Sequence, residues 1–322
     1  MLYLINSSYV NLFLALGAAF TFVLTFICTN VFKDKLPADE GRDFAVDGKL
    51  SKGKPRGAGI IFVLAFAVGS LLFLQMSLEY AVYIGIVVLE MFTGFFDDAS
   101  DKPWGRLKKG LLDLFVAVAL SATYIYYNGT TLSLPGVGEL CKLPGWFFFL
   151  LSIGLVWLSI NATNCADGVD GLSGTLTIIT LMSFYVLDLK GTVMQGFAGE
   201  IVIFIAALLA YLWFNAGPSI LMMGDAGSRA MGIFIAIVAL KSGMPFLYIP
   251  FAFVLMCDGA IGLLKVSIIK VFKVNPMKNL RTPLHDHVRK NLKNNWANNQ
   301  CVMRFDIIQA LISIVVIFIL MG

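Results

Sequence analysis

The chain has 322 residues, of which 58% are hydrophobic and only 14% charged, with a formal net charge of +4. A soluble domain of this size would carry roughly a quarter charged residues, so the composition excludes an ordinary soluble fold. Recurrent apolar runs of about 20 residues point instead to an all-α polytopic membrane protein.

In chain order, ten membrane spans are expected, near 9–32, 58–75, 80–97, 110–128, 144–161, 171–187, 199–214, 229–241, 244–271 and 304–321, forming one integral-membrane unit over 1–322. The ninth is too long for one straight crossing, and Pro245, Pro250 and Asp258 predict a bend or tilt there. Residues 129–142 read as a small outer hairpin. Met1–Val10 holds no basic residue, so a cleavable signal peptide is not expected. The five cysteines lack CxxC or CxH spacing, which argues against a zinc site or a disulfide framework.

Most of the 24 basic residues fall in the odd-numbered loops. Loop one holds Arg42, Lys49, Lys52, Lys54 and Arg56, loop three Lys102 to Lys109, and loop nine Lys273 to Lys293. The even loops carry only Lys142, Lys190 and Lys241. The positive-inside rule then predicts cytoplasmic odd loops and both termini outside.

Four polar clusters share those odd loops or their borders: Gly94-Phe95-Phe96-Asp97-Asp98, Asn161 to Leu172 (NATNCADGVDGL), Met222 to Ser228 (MMGDAGS) and Pro283 to His287 (PLHDH). Such one-sided chemistry fits an enzyme using a cytosolic substrate better than a carrier, which needs polar access from both sides. The absence of an internal repeat points the same way.

Asp97 and Asp98 end a helix, where the macrodipole disfavours negative charge, so the pair needs a compensating cation. Magnesium suits it, retaining phosphate oxygens and waters as further ligands. A base with a shifted pKa and a solvated interfacial pair are the other readings. Asp225 is either the cap of the eighth span or a metal ligand beside phosphate-facing N–H groups. Asn161, Asn164, Asp167 and Asp170 exceed what capping a helix requires. With Gly168 and Gly171 allowing close approach, they suit a nucleobase edge or sugar hydroxyls. His285 and His287, two residues apart, project to different faces, which favours phosphate contact or substrate orientation over a zinc site. Within the spans, Glu90 lies two turns before Asp97 and is expected to face the same cavity. Asp258 and Lys265 have the same spacing and are expected to pair through an intermediate group.

Taken in order, GFFDD, NATNCADGVDGL, MMGDAGS and PLHDH resemble the polyprenyl-phosphate N-acetylhexosamine-1-phosphate transferases. PLHDH before Trp296, and Arg304-Phe305-Asp306-Ile307-Ile308, are similar to the branch that uses UDP-MurNAc-pentapeptide. The resemblance implies transfer of phospho-MurNAc-pentapeptide to undecaprenyl phosphate, giving lipid I and UMP, with Mg2+ as cofactor. It also implies a homodimer among membrane lipids in the bacterial inner membrane, with the active site facing the cytoplasm. By motif position, Asp97 would deprotonate or orient the lipid phosphate with Asp98 beside it, Asp225 would bind the metal, and His285 would join the catalytic set. Asn164, Asp167, Gly168, Asp170, Asn215, Met222, Lys109, Lys52 and His287 would bind substrate.

The sequence departs from the family pattern at Asp286, where an imidazole is usual, and at Asp101, where a lysine is usual. Met222 stands where an aromatic is frequent, and Lys52 to Gly59 replaces a threonine-containing loop. A UDP-GlcNAc-using GlcNAc-1-phosphate transferase is the alternative within the superfamily. An ion-coupled carrier using Glu90, Asp113 and Asp258 is the alternative outside it.

Overall fold

A computed structural model describes residues 9–41, 51–100, 102, 104–134, 138–188 and 197–321. Residues 1–8 of the Met1–Val10 stretch, Arg42, Lys49, Asp101 and Lys190, on which expectations were placed, lie outside the described residues. Among the described residues, twelve α-helices and one hairpin make up the architecture: α1 (Val10–Phe32), α2 (Gly59–Phe73), α3 (Leu78–Asp98), α4 (Arg106–Asn128), β1 (Thr131–Leu134), β2 (Gly138–Lys142), α5 (Gly145–Ala166), α6 (Leu172–Asp188), α7 (Ala198–Asn215), α8 (Gly224–Lys241), α9 (Tyr248–Phe251), α10 (Phe253–Phe272), α11 (Leu284–Lys290) and α12 (Asn298–Met321).

A helix meets each of the ten expected runs, but six of them are long and apolar enough to cross a membrane, or seven with the bent pair α9–α10. Helices α2 and α6 are apolar but shorter. Helix α8 carries Asp225, Arg229 and Lys241 within its length. Its character follows from its position: every residue of α8 is buried, so none of its surface meets lipid.

Helices α3, α5, α2 and α6 pack around α8. Small residues let their backbones close in, as association in an apolar medium favours. A Cβ on Gly94 would sit 2.4 Å from the backbone of Asp225, and one on Gly59 2.0 Å from the nitrogen of Gly227. Farther along, Phe204 stacks on Phe234 at 4.1 Å between ring centroids, and Phe66 meets both edge-on.

The expected bend is present. Between α9 and α10 the chain turns by 91°. A break of this kind inside an apolar bundle needs partners for the backbone groups it frees. The Phe251 carbonyl accepts from Thr180 at 2.7 Å, the Pro250 carbonyl accepts from Gln309 at 3.0 Å, and the Val254 N–H donates to Gln309 at 2.9 Å.

Strands β1 and β2 pair antiparallel, with an irregularity between Leu132 and Ser133. Ser133 N–H donates to the Gly243 carbonyl just after α8, so the hairpin caps the end of the bundle opposite the start of that helix. The same end holds a polar group of its own, with buried Lys241 donating to Glu79 at 3.0 Å and to Asn128 at 2.8 Å.

The Gly94 contact gives a test of how closely α3 and α8 must approach. Gly94→Ala is expected to destabilise the protein by about 1–3 kcal/mol, the cost of overpacking a filled interface. Gly85→Ala, on the same helix but facing open space, is expected to cost nothing. Thermal unfolding in detergent measures both.

Candidate active site

Alternating helix direction brings the carboxyl ends of α3, α5 and α7 together with the amino ends of α2, α4, α6 and α8. That geometry puts three of the four polar clusters at one end of the bundle, and α11 and α12 close over them. Between them lies a cavity of about 1070 Å3.

One wall of it carries an acid cluster. Asp97, Asp98 and Asp225 each offer a carboxylate oxygen, and these oxygens lie within 4.8 Å of one another. Like charges this close repel unless cations or aligned dipoles compensate. Four compensations are visible. Lys109, one turn into α4, pairs with Asp97 and lies 3.1 Å from Asp225 Oδ2. The Trp104 backbone N–H donates to Asp97 Oδ1 at 2.7 Å. Asp98 Oδ2 accepts the Ala226 N–H at 3.3 Å, so it caps the positive end of α8 from another helix. Arg56 from loop one supplies the last, at 2.9 Å from Asp98 Oδ1 and 3.2 Å from Asp225 Oδ1. Burial works against the Arg56 charge, but Asp98, Asp225 and Asp39 outweigh it and raise its pKa above the ordinary guanidinium value.

The donor set suits a hard divalent cation, being all carboxylate oxygen. Asp98 Oδ1 is buried without an aligned hydrogen-bond donor, although the Arg56 nitrogen lies close to it. A carboxylate oxygen left in that state has capacity for a metal bond.

The glycine-rich turn between α5 and α6 forms a second wall. Asp167 accepts from Ser173 at 2.7 Å, and Asp170 accepts from the Ser219 N–H at 3.2 Å with Lys54 3.9 Å away. Asn164 donates to Ser228 at 2.9 Å, tying the turn to α8. Residues 58–243, which contain both walls, match the family model described as glycosyl transferase family 4. The chain belongs to glycosyl transferase family 4.

Three relatives of this family 4 chain are named phospho-N-acetylmuramoyl-pentapeptide-transferase. That of Treponema pallidum (strain Nichols) is 39% identical over 297 residues, covering 87% of this chain and 81% of the relative. That of Campylobacter lari is 31% identical over 288 residues (81% and 79%), and that of Helicobacter pylori (strain J99) 29% over 302 residues (84% and 82%).

In this family 4 site, Lys109, Asn164, Asp167, Gly168, Asp170, Asn215, Met222 and Asp225 all line the cavity. Asp97 and Asp98 lie directly behind Asp225. Asn215 is spent on structure: its side chain accepts the Gly171 N–H at 2.8 Å and donates to the Leu221 carbonyl at 2.9 Å, shaping the wall. Asp225 sits in the first turn of α8 and is not its cap, a role Asp98 fills.

Several expectations are corrected. Lys52 is exposed and does not line the cavity; Lys54 and Arg56, two and four residues on, do. His287 also stays outside it, accepting the Arg281 N–H at 3.2 Å, and Arg289 of the same helix enters instead. Arg289 is held by Asp286 at 2.8 Å, which is what an acid in the middle of His-Asp-His achieves here. Glu90 does not share the cavity: it pairs at 2.8 Å with Arg229, which also binds Asp113, deep between α3, α4 and α8. Asp258 and Lys265 do not pair. Lys265 donates to the Leu280 carbonyl at 2.6 Å, and Asp258 takes His285.

That last contact gives the buried His285 its orientation. Asp258 accepts the backbone N–H of His285 through Oδ1 and faces ring Nδ1 with Oδ2, both at 2.7 Å. The ring's other nitrogen then points at Gly168, where a Cβ would lie 2.3 Å from it. So His285 stands immediately behind the cavity wall, and only glycine fits in front of it. Sequence reasoning missed this role for Asp258, as it missed Arg56, Asp39 and Asp306, all three of which line the cavity. Pro55-Arg56-Gly57, a lone cation between two turn residues, was the one signal available for Arg56.

Asp258→Asn removes a charged hydrogen bond worth about 1.5–3 kcal/mol, and is expected to lower kcat by about ten- to a hundredfold with little change in KM. Steady-state kinetics checks this; a change confined to KM would assign Asp258 to substrate binding.

Proposed function

We propose that the chain transfers phospho-MurNAc-pentapeptide from UDP-MurNAc-pentapeptide to undecaprenyl phosphate, forming lipid I and releasing UMP. The observation that carries this is the meeting of the acid cluster and the glycine-rich carboxylate turn in one large cavity at one end of an apolar bundle. Membership of glycosyl transferase family 4 and the relatives' shared name support it. In this reading the cavity end faces the cytoplasm of a bacterial cell membrane, where the basic loops lie, and ten segments cross the bilayer with both termini outside. The chain acts as one unit and pairs as a homodimer.

Phosphoryl transfer depends mostly on positioning and charge neutralisation. A lipid-phosphate oxygen attacks the phosphorus attached to the sugar, and the bond from that phosphorus to the UMP oxygen breaks. Both substrates are anionic, so Lys109, Arg56, Lys54 and Arg289 around the cavity offset their repulsion. Asp97, fixed by Trp104 and Lys109, orients the acceptor phosphate and takes its proton when it carries one. The Trp104 N–H and Lys109 hold its two oxygens, which fixes the carboxylate beside Asp225 at the cavity. Asp167, Asp170 and Asn164 hold the nucleoside and sugar. Asp225, with Asp97 and Asp98, would hold a magnesium ion, which when bound neutralises charge between the two phosphates.

Purified protein with Mg2+, undecaprenyl phosphate and either UDP-MurNAc-pentapeptide or UDP-GlcNAc tests the reading. UMP release and a lipid product are expected with the first donor only. Release with UDP-GlcNAc alone would move the chain to the alternative donor, and release with neither would sink the transferase reading. Asp225→Asn is expected to reduce turnover by at least about a hundredfold.

A further inference from the structure

Arg56 is placed unlike the other cations at the cavity. One guanidinium nitrogen, Nη2, reaches both Asp98 and Asp225, at 2.9 and 3.2 Å. The other, Nη1, lies 3.2 Å from Asp39, which belongs to a different segment and lies outside the acid cluster. Asp39 is itself fixed, its second oxygen accepting from Ser51 at 2.6 Å and from the Gly41 N–H at 3.1 Å. The Arg56 backbone is stitched down as well. Its N–H donates to the Pro37 carbonyl at 2.7 Å, while the flanking Pro55 carbonyl and Ala58 N–H bond to Met222 at 2.8 and 3.1 Å. The side chain is thus the part that can move, and it lines the cavity.

We propose that Arg56 is the built-in counter-ion of the acid cluster, and that a divalent cation binds by displacing its guanidinium from Asp98 and Asp225 onto Asp39. This rests on the magnesium reading given above. An arginine cannot give up its charge, so it can yield to a second cation only by moving. Arg56 has a carboxylate ready to receive it. Among the described residues, Lys109 has no ion pair beyond Asp97 and Asp225, the cluster it already serves. The exchange has two consequences. Metal affinity is set partly by competition with Arg56. The displaced guanidinium also remains at the cavity wall, where it can pair with a substrate phosphate.

The test uses the full chain in detergent without substrate, titrated with Mn2+ and followed by the electron paramagnetic resonance of the free ion. Arg56→Gln is expected to bind Mn2+ about tenfold tighter than the wild type, the loss of one competing charged contact. Asp39→Asn is expected to weaken binding when Arg56 is present and to change nothing in the Arg56→Gln background, because the two act through one another. Equal or weaker binding by Arg56→Gln, or equal weakening by Asp39→Asn in both backgrounds, overturns the proposal while leaving the metal site standing. Mn2+ binding that Asp225→Asn leaves unchanged overturns both the proposal and the magnesium reading. If Arg56→Gln does not fold, Arg56→Lys carries the test. Its single ammonium cannot span the three carboxylates, so binding tighter than wild type is expected and binding equal to wild type overturns the proposal.

Discussion

Three carboxylates held within 4.8 Å at the mouth of an apolar bundle are the constraint from which the rest of this structure follows. Their repulsion is large in a medium that screens poorly. Each of the surrounding elements answers it in a different way: α4 with Lys109, loop one with Arg56, the α3–α4 connection with the Trp104 N–H, and α8 with its own amino terminus. Helix α8 is the least able to stand elsewhere. It is buried on every side, it begins at the cluster, and it carries Arg229 one turn farther in to neutralise Glu90 and Asp113. Removing the cluster would leave Lys109 without its partners, Arg56 with Asp39 in place of three carboxylates, and the start of α8 without its cap.

Much of the site was legible in the sequence because polar residues inside apolar runs are costly and therefore conspicuous. Asp97, Asp98, Asp225 and the Asn164–Asp170 turn announce themselves that way. The parity of the spans was enough to bring them to one end. The hairpin and the bend at Pro250 were likewise signalled by turn residues and proline. What could not be read was partnership. Arg56 is one of many loop-one cations, and nothing in its spacing says that it reaches 169 positions along the chain to Asp225. Glu90 and Asp258 were visible as buried acids. Their partners, Arg229 and His285, depend on helix rotation and on a loop folding back, which periodicity does not encode. His287 and Lys52 were assigned to the cavity by motif position alone; helix phase placed Arg289 there instead, and the fold of loop one placed Arg56.

The histidine segment shows how a motif can keep its geometry while changing its chemistry. His285 is fixed by a carboxylate from α10, and Gly168 gives it room at the wall. Asp286, in the middle position, turns towards Arg289 and so converts an imidazole position into the anchor of a cavity cation. The cavity therefore keeps a positive lining on the α11 side with one histidine behind it.

The break between α9 and α10 depends on Gln309, a residue of the last helix in the chain. Until α12 has been synthesised and has inserted beside α6, the Pro250 carbonyl and the Val254 N–H lack the side chain that satisfies them, and only Thr180 is in place at Phe251. The turned segment is therefore completed last during biogenesis, and α12 serves as its keystone. A chain released before residue 309 would leave bare backbone groups at the sharpest corner of the bundle, a defect that membrane quality control could recognise without any feature of the active site.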